Sequence, residues 1–351
     1  MEAFNTTVRK FRGLLRSGTF ALDSTIIRTK PNFPGCGKTK RKKESHKGDL
    51  PEDYEYIYGF KLFVLYEVKS RIIVAMYIVP ANEDDHKYFL PLIKQGIHNC
   101  GKGRIQVVIA DRGFLNGPQL WELKHRFKVD FIIPAKAGMI VREDAVALYE
   151  GYKDKLAEWT YGKGKCQGYG VDGLRSYFKY NPEGEKDNRK KSGSPLNAVV
   201  VTTWRGKAIH PDKQKVILTS LPAEKDAASI AKEYRLRSLI ENSGFRELKQ
   251  AAYLKTLPRR KGKNAESAAY MHIMLCVFAH TLFYAFLGWR KKAAPNQADG
   301  DCLREWRRRE SIKGGGKILI IAKRKYYALF GIEELLNVFG VRQKYRIKMN
   351  C

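Results

Sequence analysis

Three acidic residues stand where carboxylates could act on a phosphodiester. Asp23 lies inside a short apolar segment, Asp111 directly follows another, and Glu241 lies in a segment with helical periodicity. Clustered carboxylates repel one another unless a cation holds them together, and their hard oxygen atoms prefer Mg²⁺ or Mn²⁺. Two such ions can activate a water or a 3′-hydroxyl and stabilise the leaving oxygen. If the three acids converge, the sequence predicts a two-metal site.

The segment around Glu241 places other polar side chains at helical spacing. At about 100° per residue, Tyr234, Arg237 and Glu241 fall within about 60° of one another on one helix face. The planar guanidinium of Arg237 suits a phosphate beside metal ions. Taken alone, each acid is more often a turn residue or a solvated one. The prediction therefore rests on the three acids together.

Hydrophobic periodicity indicates the elements that must position these residues. Alternating apolar residues, or short runs of them, predict strands, and Asp111 follows the carboxyl end of one such strand, where open α/β sheets place their sites. The predicted order is strand, strand, strand, helix, strand, helix, strand, over residues 20–26, 58–68, 72–79, 84–97, 105–110, 117–127 and 131–134. A basic loop is expected over residues 35–48.

The composition changes after Ala135. The following segment is rich in Gly, Tyr, Lys and Thr and contains strand-like pieces such as 176–180 and 198–204, whereas helical patterns cover 223–250 and 265–287. The resulting division is a short N-terminal segment (1–17), the first part of a core (18–135), a β-rich insertion (136–222), the second, helical part of the core (223–290) and a basic C-terminal extension (291–351).

The charge balance favours a polyanionic partner. Lys and Arg number 66 against 36 Asp and Glu, a formal net charge of +30. Such a charge opposes compaction, and phosphate backbones are the commonest partners of strongly basic proteins. Six scattered cysteines indicate neither a zinc site nor a disulfide scaffold, so reduced thiols in a cytoplasm are expected.

One apolar stretch, Ala268 to Trp289, is long enough to span a bilayer. It carries His272 and His280 and has basic residues on both sides, which gives no orientation signal. A helix buried all round in a large domain, with no membrane contact, is the expectation.

Taken as a set, the motifs resemble those of the DDE transposases of the insertion-sequence-four type. The segments that carry the resemblance are ALDST around Asp23, VIADRGF around Asp111, and YRLRSLIENSGFRELKQ from Tyr234 to Gln250. The last is similar to the family's Tyr-Arg-Glu-Lys motif, whose first three residues have the spacing of Tyr234, Arg237 and Glu241. The resemblance covers roughly residues 18–290.

The resemblance implies an α/β fold: an RNase H-like mixed sheet flanked by helices and interrupted by a β-rich insertion. It implies that Asp23, Asp111 and Glu241 are catalytic and hold two Mg²⁺ or Mn²⁺ ions. The residues expected to bind DNA are Tyr234, Arg237, Lys249 and Trp204. Relatives use a tryptophan of the insertion to receive a flipped base; Trp204 and Trp159 are the candidates here.

The implied activity is cleavage at transposon ends, through a DNA hairpin, followed by joining of the 3′-hydroxyls to target DNA. The implied partners are transposon ends and target DNA, with a homodimer on DNA, and the implied location is the cytoplasm, associated with the nucleoid. Two other readings remain open: an RNase H-like nuclease that cuts without strand transfer, and a DNA-binding remnant with a degraded site.

The sequence departs from the family pattern at two places. Six residues separate Glu from Lys in the family, but that position is Leu248 here, and Lys249 comes one residue later. A one-residue bulge near residues 242–244 would rotate Lys249 back toward the site. Only 22 residues precede Asp23. A separate N-terminal DNA-binding domain does not fit there, so a truncated element, or one that recognises its ends differently, is expected.

Overall fold

In the computed structural model, the predicted strands pair into one mixed sheet with helices against it. The structure describes residues 1–42, 54–161, 164–182, 193–204, 214–255, 257–258, 262–293, 318–323 and 326–331. The sheet contains β1 (Thr19–Arg28), β2 (Gly37–Lys42), β3 (Tyr54–Glu67), β4 (Ile73–Pro80), β5 (Val107–Ala110), β6 (Asp130–Pro134), β7 (Ala157–Tyr161), β8 (Gly164–Leu174), β9 (Leu196–Trp204) and β10 (Lys215–Thr219). The helices are α1 (Glu2–Phe11), α2 (Asp85–Cys100), α3 (Gly117–His125), α4 (Ile140–Ala147), α5 (Ala223–Arg235), α6 (Arg246–Gln250) and α7 (Ala265–Ala293).

Five strands form the core in the order β4-β3-β1-β5-β6. β3 runs antiparallel to β1 and β4, whereas β5 runs parallel to β1 and β6. β1 therefore lies at the centre, and its residues Phe20, Ala21 and Leu22 are completely buried. This order and these directions confirm the predicted RNase H-like α/β fold class.

The strands of the predicted insertion extend the same sheet. β10 pairs antiparallel with β6, and β9, β8 and β7 follow in antiparallel succession, so the sheet has ten strands. α4 precedes these strands and was not expected from the sequence. The predicted strand over 176–180 is wrong, because residues 175–180 form an irregular connection with a turn.

Two further differences lie near the chain's ends and in the basic loop. Residues 37–42, expected to be part of a loop, form β2 along β3. The predicted N-terminal segment contains α1, whose Phe4 and Val8 are buried in the core. Of the predicted C-terminal extension, the structure describes residues 291–293 and a hairpin of β11 (Ile318–Lys323) and β12 (Tyr326–Gly331); the remainder lies outside the described residues.

Helix α7 is buried on one face only, so the expectation of a helix buried all round is wrong. Ile273, Val277 and His280 are completely buried, whereas Met271 and Leu275 are about half exposed. By length and composition the helix could cross a bilayer, and half of its most apolar window is buried within the protein. A uniformly apolar sequence carries no periodic signal to show which face will pack.

Candidate active site

Asp23 and Asp111 come together through the pairing of two parallel strands. Leu22 on β1 lies opposite Ala110 on β5, so each acid is the next residue along its chain. Neighbouring strands lie about 4.8 Å apart. Asp23 is 8% exposed, and one of its carboxylate oxygens accepts a hydrogen bond from the Ser24 amide at 2.7 Å. Both acids thus stand at the edge of the sheet where β5 and its parallel pairing with β1 end.

Arg237 brings the third acid to this edge. It lies just beyond the carboxyl end of α5, and its Nη1 donates to Asp23 Oδ2 at 3.0 Å and to Glu241 Oε1 at 2.8 Å. The Glu241 side chain remains 50% exposed, whereas that of Asp23 is 12% exposed. Tyr234 is buried on the same stretch of chain, one helical turn before Arg237. The structure therefore brings together Asp23, Arg237 and Glu241 by direct contact.

A π-helical turn over Ile240–Phe245 follows Arg237 and contains Glu241. This wider turn accommodates one additional residue, as expected at this place from the spacing of the motif. Leu248 is consequently buried in the core, while Lys249 Nζ donates to Thr25 Oγ1 at 2.6 Å. Thr25 lies two residues beyond Asp23 on β1 and so shares its face of the strand. Lys249 is thereby placed beside the acids; its role there stays a prediction.

Burial dominates the electrostatics of Asp23. It raises the pKa of Asp23 from 3.8 to about 7; the Ser24 hydrogen bond and the charge of Arg237 oppose this change, and the charges of Glu241 and Asp111 add to it. A carboxylate in this position needs a nearby positive charge to remain ionised.

Lys215 belongs to this edge of the sheet and was missed by the sequence analysis. β10 runs antiparallel to β6, so its first residue lies at the end where β5 and β6 finish. Lys215 is an exposed residue, but its ammonium lies 4.1 Å from the centre of the Tyr234 ring. Partial loss of hydration, followed by the charge of Arg237, lowers the pKa of Lys215 to about 8. Its position depends on the pairing of β10 with β6, which no pattern in the sequence indicates.

The two candidate tryptophans differ in place. Trp204 is the last residue of β9, opposite Lys165 on β8, and because β9 is antiparallel to β10 its backbone lies toward the same edge as Lys215. Trp159 is 7% exposed, and its indole nitrogen has no hydrogen-bond partner within the described part of the protein. Trp159 packs among the apolar residues between α5 and the sheet, so its place is that of a core residue.

The donor set suits a hard divalent cation, but Arg237 bridges two of the donors. Asp23, Asp111 and Glu241 offer only carboxylate oxygens, which match Mg²⁺ or Mn²⁺. Among the described residues, no three His, Cys, Asp or Glu side chains stand close enough together to hold a metal ion. The positive charge between Asp23 and Glu241 in this arrangement is the Arg237 guanidinium.

Comparison with known proteins identifies the domain. The family model of the transposase DDE domain matches residues 15–278. Among solved structures, a cryo-EM structure of a piggyBac transposase synaptic complex with hairpin DNA is similar, with a TM-score of 0.46 and 11% sequence identity, over 88% of this chain and 56% of that one. This chain thus spans little more than half the length of that protein. No curated protein matches the sequence.

Proposed function

The chain belongs to the family of the transposase DDE domain, and from this premise we propose that it is a DNA transposase of the insertion-sequence-four type. It cleaves DNA at transposon ends in a metal-dependent reaction and joins the 3′-hydroxyl ends to target DNA. The observation that carries the proposal is the meeting of two acids on neighbouring parallel strands with a third acid held through Arg237. The proposed partners are transposon-end and target DNA, with a homodimer assembled on the DNA in the cytoplasm, at the nucleoid.

Asp23, Asp111 and Glu241 are the residues that would hold the metal. When bound, two Mg²⁺ or Mn²⁺ ions supply activation of the attacking oxygen and stabilisation of the leaving oxygen. The Glu241 side chain is half exposed, whereas that of Asp23 is held by burial and by the Ser24 amide, so Glu241 has more freedom to move than Asp23. In this proposal Glu241 releases Arg237 when the metal site forms.

The residues around the acids bind and orient the DNA backbone. Arg237, released from Glu241, presents its planar fork to the phosphate next to the scissile bond. Lys249, on α6, lies beside the face of β1 that carries Thr25 and donates to the DNA backbone from there. Lys215 approaches the same backbone from β10. Tyr234 supports Arg237 and the ammonium of Lys215 from one side. Trp204, at the end of β9, is the proposed receptor of a flipped base.

Cleavage tests the site directly. The variant Asp111→Ala should lower Mg²⁺-dependent nicking of a labelled duplex that carries the DNA flanking the gene by at least about 1,000-fold. Binding to DNA in EDTA should change by less than about twofold, because Asp111 adds no positive charge. Asp154→Ala, which removes an exposed carboxylate in the insertion, is the control and should cleave normally. Equal loss of cleavage and binding would make Asp111 a structural residue.

Strand transfer distinguishes the transposase from the two other functions. A labelled duplex with a free 3′-hydroxyl end is incubated with plasmid and Mg²⁺, and joined products are resolved by size. A transposase yields joined molecules that are absent with Asp111→Ala. Cleavage without joining would identify a nuclease, and binding without either reaction would identify a remnant with a degraded site.

A further inference from the structure

The first half of β3 and all of β2 form a two-stranded ribbon that continues past the sheet. The pairing of β1 with β3 ends at Arg28 opposite Gly59, and β2 pairs with β3 from Gly59 to Tyr54. Residues 54–58 of β3 therefore pair with β2 and with no other strand of the described ribbon and sheet. A ribbon of only two strands is marginally stable by itself, so its presence requires support from its side chains and its base.

At the base of the ribbon the backbones of neighbouring segments approach one another closely. Gly37 and Gly59 face each other there, and a Cβ on Gly59 would lie 2.0 Å from the Ile27 carbonyl oxygen. The Gly59 carbonyl accepts a hydrogen bond from the Ala81 amide at 3.0 Å, and the next apolar residue, Ile57, is 3% exposed. Only glycine permits this approach. The close approach fixes the direction in which the ribbon leaves the sheet.

One face of the ribbon combines lysines with tyrosines. Lys38 Nζ lies 4.0 Å from the centre of the Tyr56 ring, and Lys40 Nζ lies 3.9 Å from that of Tyr54. Tyr56 is 58% exposed and Tyr54 is 39% exposed, so this face is open to solvent. Lys42 occupies the next position in the same register. The ammonium groups are held in place over the rings rather than dispersed in solvent.

The one carboxylate of the described ribbon lies on its other face and is neutralised. Glu55 alternates with Tyr54 and Tyr56 along the strand, so it points to the opposite side. Its Oε1 accepts a hydrogen bond from Arg28 Nη2 at 2.9 Å. The lysine–tyrosine face of the described residues is therefore positive along its length, with hydroxyl groups between the charges.

We propose that this ribbon is a docking element for duplex DNA, separate from the catalytic site. A two-stranded ribbon fits the major groove of B-DNA, and lysines and tyrosine hydroxyls are common partners of its phosphates. Aromatic side chains that rigidify the lysines reduce the entropy lost on binding. A protein partner is disfavoured, because the face lacks the apolar core of a protein interface.

The ribbon is placed so that one DNA duplex could contact both it and the edge of the sheet that carries Asp23 and Asp111. β1 runs outward from Asp23 to Arg28, and the ribbon continues from Gly59 to Tyr56. These eight residue steps span roughly 26 Å at about 3.3 Å per residue. Along B-DNA, with about 3.4 Å per base pair, this is roughly seven to eight base pairs. The distance of the ribbon from a cleavage site rests on the proposed function. The binding of duplex DNA by the ribbon does not rest on it.

Duplex binding in EDTA tests the ribbon without any chemistry. The double variant Lys38→Gln/Lys40→Gln should weaken binding to a 24-base-pair duplex about tenfold at 150 mM salt and lower the slope of log K against log salt by about 2. The matched control is Lys102→Gln/Lys128→Gln, which removes the same charge from exposed residues before β5 and β6, at the opposite edge of the sheet. Thermal unfolding verifies that both variants are folded.

The results separate the possibilities. An unchanged affinity, an equal loss in the two double variants, or a loss only for single-stranded DNA would overturn the proposal.

Tyr56→Leu, which keeps an apolar side chain but removes the ring and hydroxyl, should weaken binding by about threefold or more and should not alter the fold. If wild-type protein cleaves no DNA, the proposed function fails while the binding comparison still decides the role of the ribbon. On a duplex that is cleaved, trimming the DNA to about five base pairs from the cut should abolish the difference between wild type and double variant.

Discussion

Asp23 shows the conflict that a buried carboxylate creates. It lies within the central strand, where burial raises its pKa to about 7, and it retains one guanidinium and one amide as partners. The folded protein would be more stable with an uncharged residue at this position. A charged residue kept at a cost to stability is typical of a functional position. The pH dependence of stability follows from this shift.

Replacing Asp23 should stabilise the protein above neutral pH. In metal-free buffer, the ionised carboxylate opposes folding: the cost is absent below about pH 4, grows as the pH rises from about 4 to about 7, and stays nearly constant above that. The rise of the Asp23 pKa from 3.8 to about 7 corresponds to roughly 4 kcal/mol. Asp23→Asn should therefore unfold at higher urea concentration than wild type at pH 8, and the difference should vanish near pH 4. A variant less stable at pH 8 would contradict this account.

Lys215 should make DNA binding depend on pH. Burial of its ammonium, followed by the charge of Arg237, lowers the pKa of Lys215 to about 8. Only the protonated form binds phosphate, so affinity for duplex should fall as the pH rises from 7 to 9, and Lys215→Gln should remove most of that decline. Measured in EDTA by fluorescence anisotropy, a decline of equal size in both proteins would exclude Lys215 from the DNA interface.

At the scale of elements, the π-helical turn reconciles the motif with the fold. The family spacing places glutamate and lysine seven positions apart, which is nearly two turns of a regular helix. Here the spacing is one residue longer, and the turn over Ile240–Phe245 takes up the additional residue. Leu248 can then remain in the core while Lys249 reaches Thr25.

Deletion of the exposed Asn242 should therefore be tolerated. It restores the regular spacing, so the turn should become α-helical, with Lys249 still near Thr25 and Leu248 still buried. Retained DNA cleavage and an unfolding temperature equal to or above that of wild type are expected, since a π turn is less favourable than an α turn. Insertion of one alanine after Arg246 is the control: it rotates Lys249 by about 100° and should abolish cleavage. Loss of folding on deletion would show that the turn is needed for packing.

At the scale of the whole molecule, the net charge of +30 and the arrangement of the sheet act together. The parallel strands end at one edge, where the acids, Lys215 and Lys249 meet, and the ribbon extends outward from that edge. DNA is thus expected to run along this edge rather than across the opposite one.

Salt should weaken DNA binding steeply. If wild-type protein neutralises six to ten phosphates, affinity falls by about 1,000-fold to 100,000-fold between 50 and 200 mM salt. The slope should be the same for Asp111→Ala, because that change removes no positive charge. A slope close to zero, measured over the same range, would exclude a backbone interface of this size.

Local patterns in the sequence determined the parts of the site that lie along one element. Alternating and continuous apolar runs predicted the core strands, because burial on one or both faces leaves a periodic trace. Asp111 was located from the end of such a run, and the contact of Arg237 with Glu241 agrees with the face predicted from helical spacing. The segment is not one regular helix, because α5 ends at Arg235 and a π turn contains Glu241. The family spacing indicated a distortion near residues 242–244, where this π turn occurs.

Only the tertiary structure decided the contacts between elements distant in the chain. The contact of Arg237 with Asp23 joins residues 214 positions apart, and that of Lys249 with Thr25 joins residues 224 apart. Lys215 reached the site because β10 pairs with β6, and β2 became a strand because β3 offered an edge beyond β4. Pairing of this kind depends on which edges remain free once the core has formed, and a single sequence carries little trace of that choice.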